Sequence, residues 1–165
     1  MAGPLRDPDA GRGRGRRRGP RLGRPVKPLV VFGDVQAAAV SVLRAALSAR
    51  GEDYAAGAEV GTLVPGDRSP ETPHLPYVLV AKDSDLPHSS MANARVTLRV
   101  TVWHADADQA HDLAQLCQGL LLVHSGPVIR GCRPATGPLP ARDESGVDLS
   151  TFTVLANVKP TVLTA

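Results

Sequence analysis

Histidine and cysteine are the side chains of this sequence best suited to bind a metal ion or to act as nucleophiles. The chain contains five histidines and two cysteines. His104 and His111 lie on or beside one predicted helix, where their spacing separates them by about 10 Å along the axis, too far for two ligands of one metal. Cys117 falls on the apolar face of the same helix, where burial disfavours the reactive thiolate. We therefore expect no metal ion and no cysteine nucleophile, and we expect both Cys117 and Cys132 to be reduced packing residues.

Three aspartates at the predicted start of this helix form an acidic group. Asp106, Asp108 and Asp112 could be called a carboxylate cluster, but carboxylates in the first turns of a helix also bind its free N–H groups and complement its dipole. The sequence contains no serine in a nucleophile elbow and no glycine-rich Walker loop. We expect no catalytic residue and no bound cofactor, and we classify the protein as a non-enzyme.

Residues 1–28 differ sharply in composition from the rest of the chain, and we call them the N-terminal arm. The arm holds nine Arg or Lys against two Asp, a net charge of +7, together with six Gly and five Pro, whereas the remaining 137 residues carry a net charge of −4. A segment with so few apolar residues cannot offset its chain entropy by burial. We expect the arm to be disordered unless bound, and residues 29–165 to form a single domain.

The arginines of the arm are candidates for electrostatic binding. Each guanidinium can form two hydrogen bonds with a phosphate or a carboxylate. No aromatic residue is present in the arm to stack on bases, so binding to nucleic acid would be independent of sequence. A solvated tail and a start codon annotated too early are the alternatives. The residues concerned are Arg12, Arg14, Arg16, Arg17, Arg18, Arg21 and Arg24.

The run 94–124 is the clearest structural signal in the chain. Apolar residues occupy every second position from Ala94 to Val102, which predicts a strand with one buried face. After Trp103 the apolar residues recur every three or four positions, which predicts an amphipathic helix. The strand and the helix together should form the structural centre of the fold.

The other face of the predicted strand is polar and ends in the only tryptophan of the chain. A solvated sheet face is one interpretation of this pattern. The alternative is a contact between subunits, because Arg and Trp are enriched at binding hot spots. The candidate subunit interface consists of Arg95, Thr97, Arg99, Thr101 and Trp103.

The remaining patterns complete an α+β domain. A first helix begins at an Asp34 cap and ends at Gly51, and the second begins with a capping box of Asp106 and Gln109 and ends at Ser125 and Gly126. The predicted strands are 58–64, 77–82, 94–103, 128–132 and 152–158, with loops over 65–76, 83–93 and 134–147. The order α-β-β-β-α-β-β predicts one mixed, mostly antiparallel sheet of about five strands, with both helices packed on one face.

The loop predicted over 83–93 is unusually long for a hairpin, and loops of this length are often functional. We consider it a candidate contact with a neighbouring subunit or another protein, through Asp83, Asp85, His88 and Met91. No apolar run approaches the length of a membrane helix, so we expect no membrane partner.

Four segments, taken together, resemble a known protein family. They are FGDVQAAAVSVLRAAL at 32–47, YVLVAK at 77–82, RVTLRVTVWHADADQAHDLAQL at 95–116 and FTVLANV at 152–158. Their order and residue patterns resemble those of the tail terminator proteins of long-tailed (siphovirus-type) bacteriophages, especially those of actinobacteria. The resemblance covers about the last 130 residues. The N-terminal arm departs from the family pattern.

The resemblance implies a structural role at the neck of a virion assembled in the host cytoplasm. Tail terminators form hexameric rings that cap the tail tube, end its elongation and join it to the head connector or stopper protein, with DNA passing through the lumen. The implied partners are further copies of the chain, the tail tube protein, the connector and DNA. The alternatives are another neck protein, such as a head-completion or connector protein, and a nucleic-acid-binding module that acts through the arm.

Overall fold

The computed structural model describes residues 29–69, 71–90 and 93–163, with no side chain described from 85 to 93. None of the helices in these residues is long and apolar enough to cross a bilayer. The elements are β1 (Leu29–Phe32), α1 (Val35–Ser48), a 3₁₀ turn (Asp53–Ala55), β2 (Glu59–Gly61), β3 (Tyr77–Ser90), β4 (Asn93–Trp103), α2 (Ala107–Val123), β5 (Ile129–Arg142), β6 (Asp148–Val158) and β7 (Pro160–Leu163).

Five of the strands form the main sheet, in the order β2-β3-β4-β6-β5. β2 runs parallel to β3, and the other neighbours are antiparallel. The strands β1 and β7 pair with each other in a separate two-stranded ribbon. The predicted α+β fold with a mixed, mostly antiparallel five-stranded sheet is confirmed, and the ribbon is an addition to it.

The core lies between one face of this sheet and the two helices. Val96, Leu98, Val100 and Val102 of β4 are at most 5% exposed, and the alternate residues of β6 from Phe152 to Val158 are equally buried. They form one hydrophobic cluster with the apolar stripes of α1 and α2. Both helices therefore cover the same side of the sheet, as predicted, and we call this side the inner face and the opposite side the outer face.

The helix caps agree with the sequence in their residues and differ in detail. Asp34 accepts the N–H groups of Gln36 and Ala37, and Asp106 accepts those of Asp108 and Gln109. The N–H of Asp106 donates to Nδ1 of His104 at 3.3 Å, so His104 takes the part that a capping box assigns to Gln109. The helix α1 ends at Ser48, before the predicted Gly51, and α2 ends at Val123 with His124 as its cap.

The predicted loop over 83–93 is wrong. β3 continues to Ser90 and pairs with β4 as far as Leu86 and again at Ser90, with register shifts after Lys82 and Leu86. Backbone groups make the ladder, so polar side chains do not end a strand that has a partner beside it. The result is a long two-stranded extension in place of a loop, which we call the β3–β4 arm to distinguish it from the N-terminal arm.

The predicted loop over 134–147 is also wrong in its first part. β5 continues through Pro134, Pro138 and Pro140 to Arg142, with three register shifts against β6. The strand lies at the edge of the sheet, where a residue without an N–H costs no hydrogen bond when it faces outward. Edge position therefore allows a proline-rich segment to remain a strand.

Candidate functional site

The residues considered for metal binding or nucleophilic catalysis lie in separate surroundings. His104 is buried, which lowers its pKa, whereas the half-buried His111 ring contacts the Gln115 amide at 2.7 Å. Cys117 and Cys132 are free thiols, and burial raises the pKa of Cys117 to about 12 and that of Cys132 to about 11. Within the described residues, no three His, Cys, Asp or Glu side chains come together in a group that could hold a metal.

The outer face of the main sheet is not covered by either helix. Its centre is the polar side of β4, where Arg95 and Arg99 are exposed and Thr97 and Thr101 are half-buried. Thr101 shares a hydroxyl contact of 3.3 Å with Thr151 on β6, and Thr97 accepts from Ser84 on β3 at 3.2 Å. Four of the five predicted interface residues therefore lie on one open, flat surface.

Trp103 belongs to the same side of β4 but is only 7% exposed. Its indole N–H donates to Oδ2 of Asp143 at 3.1 Å, and the guanidinium carbon of Arg68 lies 4.8 Å from the ring centroid. The ring of Tyr77 lies beside it at a centroid distance of 6.3 Å. We call Trp103, Arg68 and Asp143 the Trp103 clamp. Within a single chain, Trp103 contacts Arg68 in one loop and Asp143 in another, and so holds both loops against the end of β4.

Asp143 is the hub of this clamp. Besides Trp103, it accepts from Arg68 at 3.2 Å through Oδ2 and, through Oδ1, from the Ser145 hydroxyl and the N–H groups of Ser145 and Val147. Burial alone would raise the pKa of Asp143, but these bonds and the Arg68 charge outweigh it and lower the pKa below its usual range. The carboxylate is thus held ionised at the end of the sheet.

The clamp closes one wall of a groove with a volume of about 600 Å³. The groove runs between the loop after β2 and the loop between β5 and β6. Arg68 also donates to the carbonyl of Pro73 at 3.2 Å, which fixes the first of these loops. The remaining lining residues are Val64, Pro65, Ser69, Glu144, Ser145 and Val147. This end surface therefore combines apolar side chains with the carboxylates of Asp143 and Glu144 and the guanidinium of Arg68.

The sequence reasoning found Trp103 but missed Arg68 and Asp143. A lone Arg in a proline-rich loop and an Asp in a polar turn have no periodicity that marks them. The usable signal was the tryptophan itself, because a buried indole N–H requires an acceptor. Which acceptor it finds depends on a contact between residues 40 positions apart.

Part of the candidate contact loop, and none of the N-terminal arm, lies within the residues that the structure describes. Asp83 forms an ion pair with Arg99 at 3.1 Å, on the outer face. The backbones of Asp85 and His88 lie in β3, while Met91 and the arginines of the N-terminal arm lie outside the described residues. The interface, loop and arm assignments therefore stay predictions.

Comparison with known proteins gives a similarity of fold. Neither a protein family nor a curated protein matches the sequence. Among solved structures, the fold is similar to that of a chain in the virion of a native gene transfer agent (GTA) particle, with a TM-score of 0.51 and 21% sequence identity. The match covers 76% of this chain and 94% of the other. At this identity the match shows a shared fold.

Proposed function

We propose that this protein is a structural, non-enzymatic component of a phage-type virion. The observation that carries the proposal is the similarity of fold to a chain of a GTA virion, which extends over 94% of that chain. The resemblance of four segments to tail terminators supports the same role independently of the structure. In this proposal the chain forms a ring, hexameric as in that family, which caps the tail tube at the neck and joins it to the head connector.

The open outer face supports a large contact between subunits. Four strands spaced by about 4.8 Å, over about eight residues each, present roughly 20 Å by 25 Å of flat surface. That is the scale of a stable protein interface, which buries about 800 Å² of accessible area on each partner. The Arg and Thr side chains of this face provide hydrogen-bond donors that such a contact would use.

The two ends of the domain are the proposed axial contacts. At one end, the Trp103 clamp fixes the loops that border the groove, so this surface is pre-organised for binding. At the other end, β3 and β4 extend as a two-stranded arm up to Ser90 and Asn93. We assign one end to the tail tube and the other to the connector or stopper protein.

Assembly of the purified full-length protein tests this function. Light scattering and negative-stain imaging are expected to show a ring, and added rings are expected to bind tail tubes and to stop their elongation. Binding to a connector or portal but not to tubes would favour a head-completion or connector protein instead. A protein that stays monomeric at high concentration and binds neither partner would refute the proposal.

We propose a second role for the N-terminal arm, as an electrostatic contact with DNA. Its nine basic residues among 28 positions are the observation that favours it. Binding by the arm must weaken steeply with salt, because each neutralised phosphate releases a counterion. Deleting residues 1–27 should abolish binding across a salt series measured by fluorescence anisotropy. Binding that survives the deletion would locate the DNA contact elsewhere.

A further inference from the structure

Positive charge is concentrated on the outer face of the sheet. Arg95 and Arg99 are exposed on β4, and Arg133 is exposed on β5, opposite Leu155 of β6, which in turn faces Thr97. Directly paired residues point to the same side of a sheet, so all three guanidinium groups belong to this face. Acidic side chains on this face include Asp83, which forms an ion pair with Arg99, and Glu59 on the edge strand β2, whose partner Tyr77 pairs with Trp103. The positive charge of the face is therefore confined to β4 and β5.

The exposed side of α2 has the opposite character. Asp108 and Asp112 are exposed on its first turns, and the helix contains no Lys or Arg. Further along the same helix, Gly119 is exposed with open space beside it, so that another chain can approach the helix closely. The helix packs on the inner face, so its exposed side and the outer face look away from each other across the domain.

Two complementary surfaces on opposite sides of one domain fit a particular kind of assembly. A contact between unlike surfaces repeats from copy to copy and closes into a ring when the rotation allows it. Building on the ring proposed above, we infer that the outer face of each copy binds the exposed side of α2 of the next copy. In this contact Arg95, Arg99 and Arg133 face Asp108 and Asp112.

The shapes of the two surfaces agree with this pairing. Thr97 between Arg95 and Arg99, and Thr153 beside Arg99 on β6, have short side chains, so a helix can approach the outer face between the arginines. Arg95 and Arg99 are about 13 Å apart along the strand, whereas Asp108 and Asp112 are about 6 Å apart along the helix axis. The long, flexible arginine side chains can span this difference, and Arg99 can exchange Asp83 for a partner on the neighbouring copy.

Two charge-reversed variants of the full-length chain test the inference. Arg95→Glu with Arg133→Glu makes the outer face acidic, and Asp108→Lys with Asp112→Lys makes the helix side basic. Each variant alone should assemble with a dissociation constant at least about tenfold higher than that of the original protein, because opposite charges become like charges at the contact. Thermal unfolding of each variant checks that it is folded.

A mixture of the two variants gives the sharper result. In a one-to-one mixture every contact can again join an acidic surface to a basic one, with the variants alternating around a ring of even number. Assembly should therefore be restored by mixing, and the mixed oligomer should weaken as salt is added. The matched control is Arg50→Glu with Arg142→Glu, which changes the net charge equally at exposed positions near the ends of α1 and β5. This control should assemble like the original protein.

The outcomes separate this inference from the proposed function. If the original protein forms rings and the outer-face variant assembles equally well, the pairing is wrong and the ring stands. If both variants fail to assemble and mixing does not restore assembly, the two surfaces do not bind each other. If the original protein is a monomer, the ring and the pairing are both wrong.

Discussion

The Trp103 clamp offers the most direct test of how this domain holds its end surface together. We consider Asp143→Asn, which preserves shape and removes one acceptor oxygen and the negative charge. In the native protein Oδ2 of Asp143 receives both the Trp103 indole N–H at 3.1 Å and the Arg68 guanidinium at 3.2 Å. With Asn, an amide NH₂ placed there would meet two donors. Turning the amide instead takes the acceptor away from Ser145 and Val147.

The magnitude follows from the bonds that are lost. A hydrogen bond to a charged group contributes about 1.5–3 kcal/mol, and a buried donor left without an acceptor costs about 1–3 kcal/mol. The Asp143 and Arg68 side chains are 20% and 13% exposed, so solvent compensates for part of the loss. We expect a destabilisation of about 2–3 kcal/mol. The neighbouring Glu144→Gln, at an exposed position in the same loop, should change stability by less than about 0.5 kcal/mol.

Unfolding followed by tryptophan fluorescence measures this difference at the site itself, because Trp103 is the only tryptophan in the chain. For a domain of this size, 1 kcal/mol corresponds to about 3–5 °C in the melting temperature. Asp143→Asn should therefore lower the melting temperature by about 6–15 °C and shift the native emission to the red. Equal melting temperatures for Asp143→Asn and Glu144→Gln would refute the account of the clamp.

Three further predictions follow from buried polar and ionisable groups. The pKa of Asp143 is lower in the folded protein than in the unfolded chain, where it is about 3.9. Its contribution to stability is therefore complete above the unfolded-state pKa and is lost as the pH falls through the folded-state pKa. Asp143→Asn should consequently flatten the acid limb of a curve of unfolding free energy against pH. Cys117, with a pKa of about 12, should react with iodoacetamide at pH 8 only after unfolding, as mass spectrometry would show; rapid labelling of the native protein would contradict its burial. The Ser150 hydroxyl is fully buried without a hydrogen-bond partner among the described residues. Ser150→Ala should therefore leave the unfolding free energy, measured by urea titration, unchanged or raise it by about 1 kcal/mol. A clear loss of stability would show that the hydroxyl has a partner.

The elements of the core were predictable because their signals are local. The alternation from Ala94 to Val102 and from Phe152 to Val158 reports which face of each strand is buried, and both sets are buried in the structure. The caps Asp34 and Asp106 were equally predictable, since a cap needs only N–H groups two and three residues away. The five strands of the main sheet and the placement of the helices followed from these patterns and from the need to cover one apolar sheet face, whereas the β1–β7 ribbon was not predicted.

The extent of the strands and the composition of the clamp were decided by tertiary structure alone. Pro134 to Arg142 continues a strand because it lies at a sheet edge, and the β3–β4 arm continues because each strand has the other beside it. Trp103 is buried because Arg68 and Asp143, distant in sequence, meet over it. Pairing partners and cross-chain contacts are non-local, so no window of the sequence contains them. The sequence by itself therefore determined which faces are apolar, and the fold determined which polar side chains remain exposed on the open sheet face.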